Sequence, residues 1–372
     1  MNIPRPPAPL RFTREGYRLP PIAFCLLPIT CGLILSACRP APPDPLRLQW
    51  LSMGTVAAVQ CADHTTAPQV RDLAQAAFEG LDRELSAWKS DSTLAAVNRS
   101  AGTDHSVTVS TNFAAVLRSA LGICQESGGA FNPLIGPAMR AWGFNGAAPR
   151  PSRPSDDELK AATALADWHT VQLAFQADGA TVYLPTSGMQ LDLGAIAKGY
   201  AVDLAWDSLK AQGCNNLLID LGGNLRAIGE AAPGRGGWRT GVRNPFADNA
   251  LIGMFLMRDG EAVATSGNYE RFVEIGGLRF AHIMDGRTGH PVTGMAGTTV
   301  IAPDAMTADA LSTTLFILGP QEGAALLRNH PGCAALWIPD TPDTLTLFAT
   351  PDFAARLVPI GKAPYTLSVL NP

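Results

Sequence analysis

The stretch Leu191-Asp192-Leu193-Gly194-Ala195-Ile196-Ala197-Lys198-Gly199-Tyr200-Ala201-Val202-Asp203 sets Asp192, Lys198 and Asp203 into an apolar, small-residue background. The pattern predicts a short apolar strand at 191–193, a glycine turn, and a helix from near Ala195 to about Gln212. Glycine tolerates dihedrals that other residues avoid, so Gly194 and Ala195 let a ligand approach the main chain. A helix starting there would point free N–H groups and a positive dipole end at an anion. Lys198, one turn in, would add a full charge. Two readings fit the pattern: a phosphate site, or a plain strand–turn–helix whose lysine snorkels to solvent.

Upstream of this stretch, 171–175 and 181–184 read as a hairpin across Asp178-Gly179. Downstream, 217–221 reads as a buried strand ending in Gly222-Gly223-Asn224, with further strand candidates at 238–242, 251–258 and 262–265. A hairpin is expected over 271–274 and 279–283, a strand at 297–301, a helix at 305–318, and late strands at 334–338 and 345–349. Near the start, a strand at 46–61 is interrupted by Met53-Gly54-Thr55. The helix at 70–85 follows, with Val70, Leu73, Ala74, Ala77, Phe78 and Leu81 on one face. Ser92 is placed to cap a short helix to Asn98, and the helix at 111–127 stops at Gly128-Gly129. An irregular loop at 131–137 and a helix at 156–166 complete the reading. Strands and helices interleave without a regular βαβ repeat. The expected class is α+β, with mixed and antiparallel sheets packed with helices in a single large domain.

Composition narrows the function. The chain has 372 residues, is 47% hydrophobic and 16% charged, and carries a net charge of −4, which argues against a nucleic-acid partner. Arg5, Arg11, Arg14 and Arg18 precede a charge-free run from Leu19 to Ala37 that ends in Leu35-Ser36-Ala37-Cys38. That is the layout of a secretory signal over 1–37, with Cys38 placed as the lipidated residue of a bacterial lipoprotein. A transmembrane anchor is the other reading, weakened by Pro20, Pro21 and Pro28. Residues 38–47 then form a proline-rich tether and 48–366 the folded domain, held at the periplasmic face of a membrane. Beyond the leader, Cys61, Cys124, Cys214 and Cys333 show no Cys-x-x-Cys spacing, so neither zinc nor redox motif is indicated.

Three further clusters combine glycine and polar residues. Asp309 and Thr313 are i, i+4 and share a helix face, offering hard oxygens of the kind Mg²⁺ takes. Ala264-Thr265-Ser266-Gly267 and the run from His282 through Asp285-Gly286-Arg287 to Pro291 join a histidine able to act as a general base to a polar turn. At Gly129-Ala130-Phe131-Asn132, backbone amides and an aromatic ring could meet a heterocycle. Gly-x-Gly-x-x-Gly, Walker A and Gly-x-Ser-x-Gly patterns are missing, which counts against Rossmann, P-loop and α/β-hydrolase readings.

In order along the chain, these clusters resemble the ApbE family of flavin transferases, the FAD:protein FMN transferases. The matching residues are Met53-Gly54-Thr55, the segment from Ser86 to Asn98, Gly129 to Gly136 with Trp142-Gly143-Phe144, Leu191 to Asp203, Leu221-Gly222-Gly223, Ala264 to Gly267, His282 to Pro291, and Ala308 to Thr313. The resemblance implies a T-fold-like domain that binds FAD as substrate and moves its FMN half to a threonine or serine of an acceptor protein, releasing AMP. It implies Mg²⁺ held by the carbonyl of Ala195 with Asp309 and Thr313. Lys198 would neutralise the pyrophosphate and Asp192 would contact the nucleotide. Met53, Trp88, Ala130, Phe131, Asn132, Thr265 and Ile283 would line the flavin and adenosine pockets. Lys198 and His282 are the catalytic candidates, His282 for taking the acceptor's proton. The acceptor is expected among subunits of membrane redox complexes.

The chain departs from the family at three positions. Asn132 stands where an aspartate is usual, Trp88 where a tyrosine is commoner, and Asp285-Gly286 where Asp-Pro is commoner. Stacking survives at Trp88, and hydrogen bonding without charge at Asn132. Two rival functions use the same residues: an Mg²⁺-dependent FAD pyrophosphatase, and a flavin-binding lipoprotein without catalysis.

Overall fold

The computed structural model describes residues 44–144, 150–360 and 365–372. The leader and Cys38 lie outside the described residues. Pro42–Pro372 form one compact unit.

A nine-stranded sheet is its backbone. The strands lie in the order Leu46–Ser52, Thr55–Cys61, Leu217–Leu221, Asn224–Ile228, Ala262–Gly267, Met295–Ala302, Ala334–Pro339, Thr346–Ala349 and Thr366–Val369. Every pairing is antiparallel except that of the last two strands. Period-two alternation divides the central strands between two cores. Ala262, Ala264, Val300, Ala302, Ala335 and Trp337 face a helical layer, whereas Val263, Ile301, Leu336 and Ile338 face the opposite side. That opposite side is covered by a three-stranded sheet built from Trp238–Arg243, Leu251–Met257 and Val358–Pro359.

The helices are α1 (Ala67–Leu85), α2 (Thr93–Arg99), α3 (Thr111–Glu126), α4 (Gly136–Ala141), α5 (Asp156–Ala164), α6 (Ala197–Ala211), α7 (Ala305–Leu326) and α8 (Pro351–Arg356). Helices α1, α6 and α7 bury their apolar stripes in the same core as the first face of the sheet. Ser92 caps α2 as expected, its side chain accepting from the Ala95 N–H at 3.0 Å. Helix α7 outruns the expected end near Leu318, and its axis breaks at Gly319 (φ 73°) and Pro320.

The expected strand at 191–193 does not form. Asn98 takes both main-chain groups of Leu191, donating to its carbonyl at 2.9 Å and accepting from its N–H at 2.8 Å. The Asp192 N–H donates to the Pro133 carbonyl at 2.7 Å. With its ladder groups satisfied by a side chain and a loop, the segment remains irregular, and α6 begins at Ala197 rather than near Ala195. Asn224–Ile228 forms a further strand, beyond those the sequence pattern predicts. Gly222 and Gly223, at φ 60° and 87°, make a two-residue hairpin turn into that strand. Among the described residues no helix is long and apolar enough to cross a membrane.

Candidate functional site

Helices α6 and α7 meet at Gly199. A Cβ there would stand 2.1 Å from the Ala305 carbonyl oxygen, so only glycine permits this approach. The contact lets the Gly199 N–H donate to Asp309 Oδ2 at 2.9 Å. Asp309 is 4% exposed. Burial pushes its carboxyl above the usual range; the Lys198 ammonium is the largest opposing influence, followed by the Gly199 N–H and the Asn224 amide. Lys198 Nζ lies 3.8 Å from Asp309 Oδ1 and donates to the Gly194 carbonyl at 2.9 Å. The anion met by the start of α6 is therefore the protein's own carboxylate. Asp192 is engaged locally as well, with Oδ1 accepting from the Gly194 N–H at 2.9 Å.

Thr313 lies one turn along α7 from Asp309. Its Oγ1 is 3.1 Å from Ser266 Oγ, which is 2.8 Å from Ser312 Oγ, and Ser312 donates to the Asp309 carbonyl at 2.9 Å. Each hydroxyl has one hydrogen. With the Ser312 hydrogen spent on Asp309, a consistent chain runs from Thr313 to Ser266 to Ser312 and leaves Thr313 with free lone pairs. A third oxygen lies close by. Asn224 is 3% exposed, its amide faces the Asp309 carboxylate, and its Oδ1 finds no donor among the described residues.

One buried carboxylate, a threonine hydroxyl and an orphaned amide oxygen make a hard-oxygen set. No group of three His, Cys, Asp or Glu placed to hold a metal ion occurs among the described residues. Mg²⁺ commonly takes one or two carboxylates and completes its shell with water and phosphate, so this set fits it. Ala195, in the turn before α6, belongs to the same corner. The Gly199 N–H that a regular helix would give to its carbonyl goes to Asp309 instead.

The other predicted residues divide by exposure. Met53 occupies the tip of the first hairpin at φ 47°, a left-handed conformation uncommon outside glycine. Trp88 is 62% exposed, with the Arg271 guanidinium over its ring at 5.0 Å. Phe131 and Ile283 are buried in the main core, and Ala130 is fully buried as well. The Phe131 ring therefore does not meet a heterocycle, and its loop offers main chain instead. Both ends of the Asn132 amide are used, with Nδ2 donating to the Ala166 carbonyl and Oδ1 accepting from the Leu134 N–H, each at 2.9 Å. Thr265 Oγ1 lies 3.0 Å from Thr299 Oγ1 on the paired strand.

His282 follows the strand Leu278–Ala281, with its Nδ1 3.2 Å from the Arg271 carbonyl. A carbonyl only accepts, so this contact assigns the proton to Nδ1 and leaves Nε2 as a free acceptor. Burial, and then the Arg271 charge, push the imidazole down to about 4, which keeps it neutral at physiological pH. The Asp285-Gly286 departure has a local cause: a Cβ at Gly286 would meet Asn132 Cβ at 2.4 Å and the Gly129 carbonyl at 2.5 Å. The Gly286 N–H also donates to the Ala130 carbonyl at 2.9 Å, which a proline could not do. Arg287 clamps the turn with Nε and Nη2 on the Asp285 carboxylate.

Glu270 belongs to none of the sequence motifs. It retains solvent access, yet desolvation by the surrounding walls pushes its carboxyl up to about 7, opposed by Lys198, reinforced by Asp309 and opposed again by Arg243. Its only sequence signal is a charge following the polar turn Ser266-Gly267-Asn268-Tyr269. A cleft of about 670 Å³ lies elsewhere, lined by Trp206, Arg226, Glu261, Pro303 and Arg356 and by none of the predicted site residues.

Fold and site together define a class: an α+β protein with a buried cluster of oxygen donors where two helices cross beside a large, mostly antiparallel sheet. The ApbE family model matches residues 53–337, and the chain belongs to the ApbE family. It is 38% identical over 329 residues to the FAD:protein FMN transferase of Treponema pallidum, covering 84% of this chain and 89% of that one. It superposes on the apo form of the flavinyl transferase ApbE of Pseudomonas stutzeri with a TM-score of 0.72 at 30% identity, over 86% of this chain and 98% of that one. For the ApbE protein of Thermotoga maritima the TM-score is 0.74 at 27% identity, over 84% and 99%. These neighbours bear out the expected fold class.

Proposed function

We propose that this chain is an FAD:protein FMN transferase, the activity for which its Treponema relative is named. The acceptor's Ser or Thr oxygen forms a bond to the phosphorus of the FMN half. The bond from that phosphorus to the AMP oxygen breaks, AMP leaves, and the hydroxyl proton passes to a base. The observation that carries the reading is the buried Asp309 carboxylate grouped with Thr313, Lys198 and the Ala195 turn. Bound Mg²⁺ would supply charge neutralisation at the pyrophosphate. Asp309 and Thr313 would hold it, with the Ala195 carbonyl.

Lys198 brings positive charge to the same corner. His282, neutral with Nε2 free, is suited to accept the proton. Trp88 offers an exposed ring to the isoalloxazine. The acceptor is a membrane redox subunit exposed outside the cytoplasm, and Cys38 anchors the transferase to the same membrane through lipid.

The test is incubation with FAD, Mg²⁺ and a candidate acceptor, followed by intact-mass measurement. An acceptor heavier by one FMN supports transfer. Free FMN and AMP beside an unmodified acceptor make the protein a pyrophosphatase, and an unchanged FAD pool makes it a binding protein.

A further inference from the structure

Asn224 opens the strand that follows the Gly222-Gly223 turn, deep beside Asp309. Its Nδ2 donates to the Leu221 carbonyl at 3.3 Å. That contact orients the amide, because the reverse assignment would set oxygen against oxygen. Oδ1 is then left buried without a donor among the described residues. A buried acceptor left unpaired costs about 1–3 kcal/mol, and native proteins rarely tolerate one without cause.

We infer that Asn224 is a positioning residue of the cation site, its Oδ1 facing the hydration shell of the bound ion. The inference rests on the Mg²⁺ reading of Asp309 and Thr313. Mg²⁺ keeps several of its waters. Those waters are donors, and a donor is what the stranded oxygen lacks. Groups in this position tune metal affinity by about 10–100-fold.

The test uses Mn²⁺ as the probe, titrated into the full chain with ADP present and followed by the electron paramagnetic resonance of the free ion. ADP supplies a pyrophosphate without a flavin to transfer. Asn224→Ala should weaken Mn²⁺ binding by about 10–100-fold. Asn224→Asp, of the same shape but with a charged acceptor, should tighten it. Melting temperatures recorded in parallel isolate a turn-forming role, which would move them and leave Mn²⁺ affinity alone.

An affinity within about twofold of wild type in either variant, or weakening in Asn224→Asp, overturns the inference. If Asn224→Ala does not fold, Asn224→Asp still decides. Wild-type protein that takes up no Mn²⁺ removes the metal reading and the inference together. Normal wild-type binding that Asp309→Ala abolishes and the Asn224 variants leave untouched removes the inference alone.

Discussion

Gly199→Ala is the sharpest test of how the site is built. The added methyl would stand 2.1 Å from the Ala305 carbonyl oxygen, 2.6 Å from its carbon and 2.7 Å from Asp309 Cβ. Ordinary contact begins at 3.4 Å, so α6 and α7 must part by roughly 1 Å where Asp309 is held. Two of the three obstructing atoms are main chain, and no rotamer change relieves them. Overpacking of this kind costs about 1–3 kcal/mol, and the upper half of that range applies to a backbone clash. For a chain of this size that corresponds to a fall of about 3–5 °C in melting temperature. The separation also displaces the carboxylate, and a misplacement of about 1 Å costs on the order of 100-fold in rate. Calorimetry and the rate of FMN incorporation measured by intact mass read the two effects. Gly122→Ala in α3 is the control: nothing lies within 4 Å of its Cβ, so stability should hold or rise by about 0.5–1 kcal/mol. Wild-type melting and wild-type turnover in Gly199→Ala would refute the account of the helix crossing.

Asp203 accepts from the Ala305 and Met306 N–H groups at 2.8 Å and from Arg226 at 2.7 Å. Asp203→Ala should therefore cost about 1–3 kcal/mol in urea unfolding by leaving the Ala305 and Met306 N–H groups unpaired at the start of α7, and a loss below about 0.5 kcal/mol contradicts this. His282 is held at about 4 in the fold against 6.5 unfolded. Between those values only the unfolded chain takes up the proton, so the histidine's contribution is full above pH 6.5 and is lost as pH falls towards 4. Unfolding curves at several pH values should show that slope flattened in His282→Asn; an unaltered slope counts against the buried neutral imidazole. Cys38→Ser should release the protein from the membrane fraction, and continued tight association restores the transmembrane reading.

The features legible in the sequence share one property: they are set by neighbours within a turn or a strand. The interruption of the first strand at Met53-Gly54-Thr55, the face of α1, the Ser92 cap and the i, i+4 pair of Asp309 and Thr313 all depend on local pattern. What failed was decided at a distance. The segment at 191–193 carries an apolar strand pattern, but Asn98, separated from Leu191 by 93 positions, occupies its hydrogen-bonding groups. Ser266 lies 47 positions from the Thr313 hydroxyl it holds. No local pattern announces either contact.

The same distinction revises what the glycine turn before α6 is for. From sequence, a helix start with a lysine one turn in is a place for a phosphate, because free N–H groups and the dipole both favour an anion. In the fold, the Gly199 N–H and the Lys198 ammonium are directed at Asp309, 110 positions away from Gly199 in the chain. An ionised carboxylate at 4% exposure needs that support, since burial alone would drive it toward the neutral acid. The helix end thus works one step before the substrate. Its Gly199 N–H and the Lys198 ammonium oppose the burial that raises the Asp309 carboxyl, and so favour the ionised form that the proposed divalent cation would need.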